Sequence, residues 1–281
     1  MRIVKSIPQL RKLVAAQRTK GRSIGFVPTM GALHEGHLSL IRLAQRKSKY
    51  VVVSIFVNPA QFGPKEDLAK YPRDLKRDAA LCRSAGADLV FAPRARDVYP
   101  DNYHTYVTVG QLSEGLCGAS RPGHFKGVAT VVAKLFNMVQ PDVAVFGQKD
   151  AQQAAVIRQL ARDLDFPVRI VVGPIVRERD GLAMSSRNAY LTPAERAQAP
   201  ALHHALNLAK WLVRSGRRES GMVKREMMRM IAREAPLGEV DYVGIVNNRT
   251  LEPITKVTSD TLVALAVKFP SARLIDNVVI R

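Results

Sequence analysis

The stretch VPTMGALHEGHLSLI, residues 27–41, joins an apolar run to a glycine-containing turn and then to a helical pattern. Apolar residues lead into the turn, which Gly31 marks, and they recur after it at Leu38, Ile41 and Ala44. A spacing of three residues places these side chains on one face of a helix. The stretch therefore predicts a strand, a turn and a helix in succession.

Strand and helix patterns alternate outward from this turn. Strands are predicted at about 23–27, 50–57, 88–93, 142–147 and 168–173, and helices at about 37–47, 73–87, 124–140 and 150–164. Strands that alternate with helices favour right-handed crossovers and a parallel sheet covered on both faces. We therefore predict an α/β, doubly wound, Rossmann-like sheet in residues 1–176, with ligands at the carboxyl ends of its strands.

The pattern changes after residue 176. Two helices are predicted at about 193–214 and 220–234, and three short strands follow them, VDYVGIV, LVALAVKF and ARLIDNVVI. Helices followed by a group of strands are typical of an α+β arrangement. We expect residues 177–281 to form a smaller C-terminal α+β lid domain.

The composition is that of an ordinary globular protein. Of 281 residues, 47% are apolar and 24% charged, as in soluble domains generally. No apolar run approaches the roughly 18 residues of a membrane span, and the charged start MRIVKSIPQLRKLV argues against a secretory signal. Cys82 and Cys117 stand far apart, which suits a reducing compartment better than a disulfide framework. We therefore expect a cytoplasmic protein.

The charge balance is strongly basic, with 43 basic and 24 acidic residues and a net charge of +19. Such a field attracts anions. The densest basic run, residues 214–233, places Arg225, Arg229 and Arg233 on one face of a predicted helix. We interpret this run as a solvated helix face. RNA binding is the alternative, although the aromatic side chains that stack on bases are missing from the run.

The two histidines of the turn, His34 and His37, have three interpretations. A zinc protease would place them four residues apart, whereas here they stand three apart around Gly36. A packed, hydrogen-bonded role is common for histidine and stays open. We favour phosphate binding, because a helix N-terminus offers unpaired N–H groups and the glycines let a phosphate approach the backbone. Neither the dinucleotide fingerprint nor the P-loop is present.

The turn PTMGALHEGH resembles the His-x-Gly-His signature of the nucleotidyltransferase superfamily, which includes class I aminoacyl-tRNA synthetases. Three further blocks resemble the pantothenate synthetase family, in the right order. They are SIFVNPAQFGPKEDLAKYPR (54–73), RPGHFKGVATVVAKLFNMVQPDVAVFGQKDAQQ (121–153) and RERDGLAMSSRNAYLT (177–192). Four ordered blocks are far more specific than the turn alone, so the chain is identified as similar to this family over nearly its whole length.

The resemblance implies an AMP-forming ligase that condenses D-pantoate with β-alanine. The pantoate carboxylate would attack the α-phosphate of ATP, and the amine of β-alanine would then attack the pantoyl adenylate and expel AMP. ATP is thus expected as co-substrate, with Mg²⁺ bound to it. The family is usually a homodimer, and the resemblance implies neither a specific nucleic acid nor a membrane as partner.

The resemblance also assigns roles to individual residues. His34, His37, Lys149 and Arg187 are expected to be catalytic, with His37 as a proton donor. The residues expected to bind ATP are Met30, Gly31, Ala32, Leu33, His34, Glu35, Gly36, His37, Gly147, Gln148, Lys149, Asp150, Val176, Met184, Ser185, Ser186 and Arg187. Those expected to bind the substrates are Gln61 and Gln153, with Asn58, Arg121 and His124 in the same pocket wall.

Two positions depart from the family pattern. Gln148 stands where the family usually has glutamate, and Ala151 where a bulky residue is common. Neither is expected to abolish activity. In the stretch RDLKRDAAL, the acidic residues that could assist a metal are reduced to Asp74 and Asp78. We therefore name no protein ligand for the metal.

Two alternatives to the ligase are considered. A nucleotidylyltransferase of the same superfamily would share the histidine turn, but it would not be expected to carry the NPAQF and GQKDAQQ blocks. An RNA-binding protein on a synthetase-like fold would account for the basic charge. Turnover that depends on β-alanine separates the ligase from the first, and the salt dependence of nucleic-acid binding separates it from the second.

Overall fold

The computed structural model describes residues 1–64 and 66–281. These residues form two compact units. The first consists of Met1–Ser113, Arg121–Gly147 and Gln153–Pro174, and the second of Glu114–Ser120, Gln148–Gln152 and Ile175–Arg281.

A six-stranded sheet forms the centre of the first unit. Its strands are β1 (Arg2–Val4), β2 (Ile24–Thr29), β3 (Tyr50–Ile55), β4 (Leu89–Phe91), β5 (Val143–Gly147) and β6 (Arg169–Gly173). They lie in the order β1-β4-β3-β2-β5-β6, and every neighbouring pair is parallel. The predicted parallel α/β sheet is therefore confirmed.

Among the described residues, seven α-helices lie between Ile7 and Asp163. They are α1 (Ile7–Arg18), α2 (Glu35–Lys47), α3 (Leu75–Ser84), α4 (Ala95–Val98), α5 (Cys117–Ser120), which belongs to the second unit, α6 (His124–Val139) and α7 (Ala151–Asp163). α6 is the most apolar of them, and most of its residues are therefore buried. Among the described residues, no helix has the length and apolar character that crossing a membrane requires.

The order of the strands places a crevice beside β2. Along the chain, β3 and β4 extend the sheet on one side of β2, whereas β5 and β6 extend it on the other. The direction of winding thus reverses between β2 and β5, and ligands of doubly wound folds bind where it reverses. The turn that begins at Met30 follows β2 at this point, and Gly147 ends the neighbouring β5.

Besides α5, the described part of the second unit combines three helices with a three-stranded antiparallel sheet. Its elements are α8 (Pro193–Gln198), α9 (Ala201–Arg214), α10 (Ser220–Glu234), β7 (Glu239–Asn247), β8 (Thr261–Lys268) and β9 (Arg273–Ile280). Leu206, Met227 and Ile231 of the helices share one core with Val263 and Leu265 of β8. The predicted α+β character of this region is confirmed.

Two sequence expectations differ from the structure. The helix predicted at 193–214 is wrong as one element, because α8 ends before Pro200 and α9 begins after it. Proline has no N–H to donate to the preceding turn, so a helix does not continue through it unchanged. The sequence analysis also missed β1 and α1, since a three-residue strand is too short to show a periodic pattern.

The basic run on α10 is partly neutralised by its own helix. Arg229 pairs with Glu226 at 2.7 Å, and Arg233 pairs with Glu234 at 3.0 Å. Both arginine side chains are 72% exposed. Exposed ion pairs along a helix support the interpretation as a solvated face.

A buried ion pair joins β9 to the segment before α8 in the second unit. Arg177 donates two hydrogen bonds to Asp276, at 2.6 and 3.0 Å. The Asp276 side chain is only 2% exposed. A buried carboxylate that loses its partner is strongly destabilising, because its charge is then uncompensated.

We predict that Arg177→Met lowers the free energy of unfolding by about 3–5 kcal/mol, because the buried Asp276 carboxylate loses its partner. The matched control is Arg249→Met, which removes the partner of Asp260 from a pair whose side chains are 85% and 43% exposed. That change should cost less than about 1 kcal/mol. Urea denaturation measures both, and equal losses would contradict the argument.

Candidate active site

The turn after β2 is held by a buried carboxylate from α3. Asp78 is 1% exposed, and its two oxygens accept hydrogen bonds from the backbone N–H groups of Ala32 and Leu33 at 2.9 and 2.8 Å. Gly31 has a φ of +84°, and a Cβ at this position would lie 2.9 Å from the Asp78 carboxylate. The turn therefore needs both a glycine at position 31 and an acceptor at position 78.

The two histidines cap α2 reciprocally. The Nδ1 atom of His34 accepts a hydrogen bond from the N–H of Gly36 at 3.2 Å, and the Nδ1 atom of His37 accepts one from the N–H of His34 at 3.4 Å. The ring centroids are 4.2 Å apart. A neutral imidazole that accepts at Nδ1 carries its proton on Nε2. Both rings are thus fixed as Nε2–H donors.

The N-terminus of α2 adds a positive electrostatic contribution at the same place. A helix begins with unpaired N–H groups and the positive end of its dipole, which attract anions. Glu35, the acidic residue of the first turn, forms an ion pair with Arg42 of the same helix. The packed role considered for the histidines and their phosphate role are therefore compatible, since one ring nitrogen caps the helix and the other is a donor.

A second group of side chains surrounds the turn that follows β3. Asn58 is 1% exposed, and its Nδ2 donates to Gln61 Oε1 at 3.0 Å and to the Gly127 carbonyl at 3.1 Å. Its Oδ1 accepts from the Ala60 N–H at 3.3 Å. The Nε2 of Gln61 lies 3.1 Å from the Met30 sulfur. This contact joins a residue expected to bind the nucleotide with one expected to bind pantoate.

The backbone of Gln61 is held by residues at the start of α6 and just before it. Its carbonyl lies 2.8 Å from His124 Nδ1 and accepts a hydrogen bond from Arg121 at 3.3 Å. Arg121 in turn donates two hydrogen bonds to Glu66, at 2.7 and 2.6 Å. Burial opposes ionisation of Glu66, but the hydrogen bonds and charge of Arg121 outweigh it, so the pKa of this carboxyl lies below its ordinary value. Arg121 and His124 thus support the same turn.

α6 approaches this turn through a glycine. Gly127 is buried, and a Cβ at its position would overlap the backbone carbonyl of Ala60. A glycine inside a helix costs stability relative to alanine, so its presence points to a close approach. The sequence analysis missed Gly127, although a glycine within the apolar pattern of residues 124–140 was a signal that could have found it.

In the second unit, a side chain of β9 fixes the GQKD turn. Gln148, Lys149 and Asp150 form a single 3-10 turn. Asn277 is 3% exposed and donates from Nδ2 to the carbonyls of Gln148 at 3.0 Å and Lys149 at 2.9 Å. Gln148, which departs from the family pattern, donates from its own amide to Asn277 Oδ1 at 3.0 Å. Asn277 therefore determines the path of the backbone that carries Lys149.

The other second-unit residues expected to bind ATP, Val176 and Met184–Arg187, occupy two neighbouring turns of the chain. The N–H of Met184 donates to the carbonyl of Val176 at 3.0 Å, so the two residues expected beside adenine are adjacent. Ser185 caps the following 3-10 turn by accepting a hydrogen bond from the N–H of Arg187 at 3.2 Å. This cap fixes the backbone on which Ser186 and Arg187 are placed.

The structure brings together most of the substrate residues expected in the first unit. Met30, Asn58 and Gln61 are in contact, and Arg121 and His124 support Gln61 from behind. The other glutamine expected to bind pantoate, Gln153, lies in the first turn of α7 and is half-buried. Among residues 1–64 and 66–281, no hydrogen bond joins it to Gln61.

Sequence reasoning missed the residues that position this site. Asp78 was considered only as an aid to a metal, and Glu66 and Asn277 were not considered. Asp78 is separated from its partner Ala32 by 46 residues, and Asn277 from its partner Lys149 by 128. A single sequence carries no signal for contacts of that separation unless a motif reports them.

The chain matches known proteins over its whole length. The family model described as Pantoate-beta-alanine ligase matches residues 2–279. A pantothenate synthetase of Heliobacterium modesticaldum is 56% identical over 280 residues, which cover 100% of this chain and 99% of that protein. The crystal structure of pantothenate synthetase from Thermus thermophilus is 47% identical, with a TM-score of 0.94 and coverage of 99% of both chains.

A more distant structure contains ligands. The pantoate–β-alanine ligase of Francisella tularensis, described as complexed with beta-gamma ATP and β-alanine, is 33% identical. It has a TM-score of 0.82 and covers 99% of this chain and 97% of its own.

We predict that Asp78→Asn loosens the histidine turn. Asparagine offers one acceptor where two N–H groups need one each, and a lost hydrogen bond to a buried charged group costs about 1.5–3 kcal/mol of unfolding free energy. Binding of ATP, measured by calorimetry, should weaken as well. The matched control is Asp74→Asn at the exposed N-cap of α3, where the two residues cap about equally well. If both variants bind ATP equally, Asp78 does not hold the site.

We also predict that Asn277→Leu displaces the backbone around Lys149. Leucine has a similar size but leaves two carbonyls without their donor, which should lower the unfolding free energy by about 1–3 kcal/mol and weaken ATP binding. Asn207→Leu, on the exposed side of α9, serves as the control and should change neither quantity. Unchanged ATP affinity in Asn277→Leu would show that the turn is held by other contacts.

Proposed function

The chain belongs to the pantoate–β-alanine ligase family, and on that basis we propose that it makes pantothenate from D-pantoate and β-alanine at the expense of ATP. In the first step a pantoate carboxylate oxygen bonds to the α-phosphorus while the bond to pyrophosphate breaks. In the second step the amine nitrogen bonds to the acyl carbon, the acyl–oxygen bond breaks and AMP leaves. The amine loses a proton as the amide forms.

The geometry of the histidine pair is the observation that carries this proposal. Both Nδ1 atoms accept from backbone N–H groups, so both rings offer Nε2–H at the N-terminus of α2. Donors fixed before the reaction stabilise charge that develops on a phosphate, since they need no reorganisation. This supports roles for His34 and His37 as hydrogen-bond donors to the α-phosphate of ATP, and the proton-donor role of His37 is what the family resemblance implies.

The charged side chains of Lys149 and Arg187 would also bind the phosphates in this proposal. Lys149 and Arg187 carry only hydrogen-bond donors, and the guanidinium of Arg187 matches two phosphate oxygens at once. The fixed backbone around Lys149 and the capped turn at Arg187 support these roles. Asp150 would accept from the ribose hydroxyls, and Val176 and Met184 would lie beside adenine.

Pantoate would bind at the turn after β3. Gln61 and Gln153 would contact its oxygen atoms, and Asn58, Arg121 and His124 would form the wall. The hydrogen bonds that hold Gln61 at both its side chain and its carbonyl support this assignment. A preorganised group loses little entropy when the substrate binds.

Mg²⁺ would be held by the triphosphate and by water rather than by carboxylates near α3. Asp74 accepts the N–H of Arg77 as a helix cap, and both oxygens of Asp78 bind the histidine turn. Magnesium retains several waters and uses substrate phosphates as ligands in many nucleotide sites. Its charge would offset that of the phosphates.

The proposal includes the cellular compartment and the oligomeric state of the enzyme. Cys82 and Cys117 are both buried free thiols, and burial, followed by the charge of Asp78, raises the pKa of Cys82 to about 12. The raised pKa makes the Cys82 thiol unreactive, and two buried free thiols suit a cytoplasmic enzyme. Family resemblance suggests a homodimer, which sedimentation would test.

We predict that the purified protein forms pantothenate and AMP from ATP, Mg²⁺, pantoate and β-alanine. A heavy-oxygen label in the pantoate carboxylate should appear in AMP, because that oxygen bridges the adenylate and leaves with AMP. Mass spectrometry of the nucleotide product measures both points. Formation of ADP, or AMP transfer that ignores β-alanine, would contradict the proposal, and the latter would indicate a nucleotidylyltransferase.

We predict that His37→Ala and Lys149→Ala each slow pantoate-dependent pyrophosphate exchange by about a hundred- to a thousandfold, since each removes a donor to developing phosphate charge. The control is His104→Ala, at an exposed histidine to which no role is assigned, and it should exchange at the normal rate. Circular dichroism should show an unchanged fold in all three. Normal exchange in either active-site variant would mean that the residue does not contact the reacting phosphate.

A further inference from the structure

A tyrosine after α4 contacts the Asn58–Gln61 pair. The hydroxyl of Tyr99 donates to Asn58 Oδ1 at 2.9 Å. We propose that Tyr99 is a positioning residue that acts through Asn58 to fix the amide of Gln61 with its NH₂ group directed at the pantoate oxygens. The inference rests on the proposed function, since it concerns how that site recognises its hydroxy-acid substrate.

The orientation of Asn58 is determined by two backbone groups. Its Nδ2 lies 3.1 Å from the Gly127 carbonyl, which can only accept, and its Oδ1 lies 3.3 Å from the Ala60 N–H, which can only donate. Rotation of the amide by 180° would place two donors together and two acceptors together. Both mismatches would be buried, and buried unpaired polar groups are costly. Asn58 therefore has one orientation.

Every hydrogen-bonding position of Asn58 is used inside the protein. An amide has two N–H donors and two oxygen lone pairs. The donors go to Gly127 and Gln61, and the lone pairs accept from Ala60 and Tyr99. Asn58 thus acts on the substrate through Gln61 rather than by direct contact.

The orientation of Asn58 then fixes that of Gln61. Because Asn58 presents an N–H at 3.0 Å, Gln61 must present its oxygen to it, and its NH₂ group lies at the other end of the amide. That group lies 3.1 Å from the Met30 sulfur. A thioether is a weak acceptor, so a carboxylate or hydroxyl oxygen of a ligand would readily replace it.

Tyr99 supplies the last of the four hydrogen bonds to Asn58. Its ring lies against Tyr103 edge to face, with centroids 5.1 Å apart, and the ammonium of Lys134 lies 4.1 Å from the Tyr103 ring centroid. These contacts hold the hydroxyl in place. Burial, followed by the neighbouring tyrosines, raises the pKa of Tyr99, so the hydroxyl keeps its proton and remains a donor.

The orientation of the Gln61 amide determines which substrate group can bind to it. At the position of Gln61 the substrate must offer an oxygen that accepts a hydrogen bond, as an α-hydroxy acid does. A donor group at that position would meet the NH₂ of Gln61 and be rejected, because both would be left unpaired. Removing the Tyr99 hydroxyl leaves Asn58 Oδ1 with one hydrogen bond fewer, so the Asn58 side chain and the Gln61 amide bound to it are held less firmly in their one orientation.

The test is steady-state kinetics of Tyr99→Phe, with Tyr103→Phe as the matched control in the same aromatic group. Loss of one supporting hydrogen bond should raise the KM for pantoate about two- to tenfold, while kcat and the KM values for ATP and β-alanine change less than about twofold. Tyr103→Phe should match the wild type in all four constants. An unchanged pantoate KM in Tyr99→Phe, or an equal rise in both variants, would overturn the inference.

A double-mutant cycle separates positioning from general stability. If Tyr99 acts through Gln61, then Tyr99→Phe should have no further effect on the pantoate KM in a Gln61→Ala background. Additive effects would show that Tyr99 acts independently of Gln61. They would overturn this inference and leave the proposed function standing. A wild-type enzyme that forms AMP without any dependence on pantoate would overturn the proposed function and this inference together.

Discussion

The site depends most on the buried contact between Asp78 and the backbone of the histidine turn. The carboxylate binds two consecutive N–H groups in a turn whose residues Gly31 and Ala32 have φ values of +84° and +50°. Such a backbone is unfavourable for a residue with a Cβ unless its surroundings stabilise it. Because the turn ends where α2 begins, the same contact sets the position of His34 and the direction of the helix dipole.

A common principle orients the polar side chains in both units. Backbone N–H and carbonyl groups cannot exchange their roles, so a side-chain amide placed between them has one orientation only. In the first unit, Ala60 and Gly127 orient Asn58. In the second, the carbonyls of Gln148 and Lys149 orient Asn277. The main chain thereby also determines the position of the neighbouring groups, the Gln61 side chain and the backbone of Lys149.

The sequence predicted what depends on local patterns. α10 begins and ends where its periodicity indicates, at Ser220 and Glu234, and the parallel sheet follows from the alternation of strands and helices. The histidine turn was recognisable because its residues are adjacent in the chain. The supports of the site were not, because Tyr99 meets Asn58 across 41 residues and Asn277 meets Lys149 across 128. Tertiary packing, not local propensity, brings these residues together.

In the histidine turn and the Asn58–Gln61 pair of the first unit, the hydrogen-bond acceptors are used inside the protein. The Nδ1 atoms of His34 and His37 and the oxygens of Asp78 accept from the protein's own N–H groups, and the Gln61 oxygen accepts from Asn58. The hydrogen-bonding groups that these histidines and Gln61 can then present to a ligand are N–H groups. Because ATP and pantoate are anions rich in acceptor oxygens, a pocket lined with donors favours them, and the net charge of +19 draws them from solution. In the proposed site, internal capping of the acceptors would therefore favour anionic reactants.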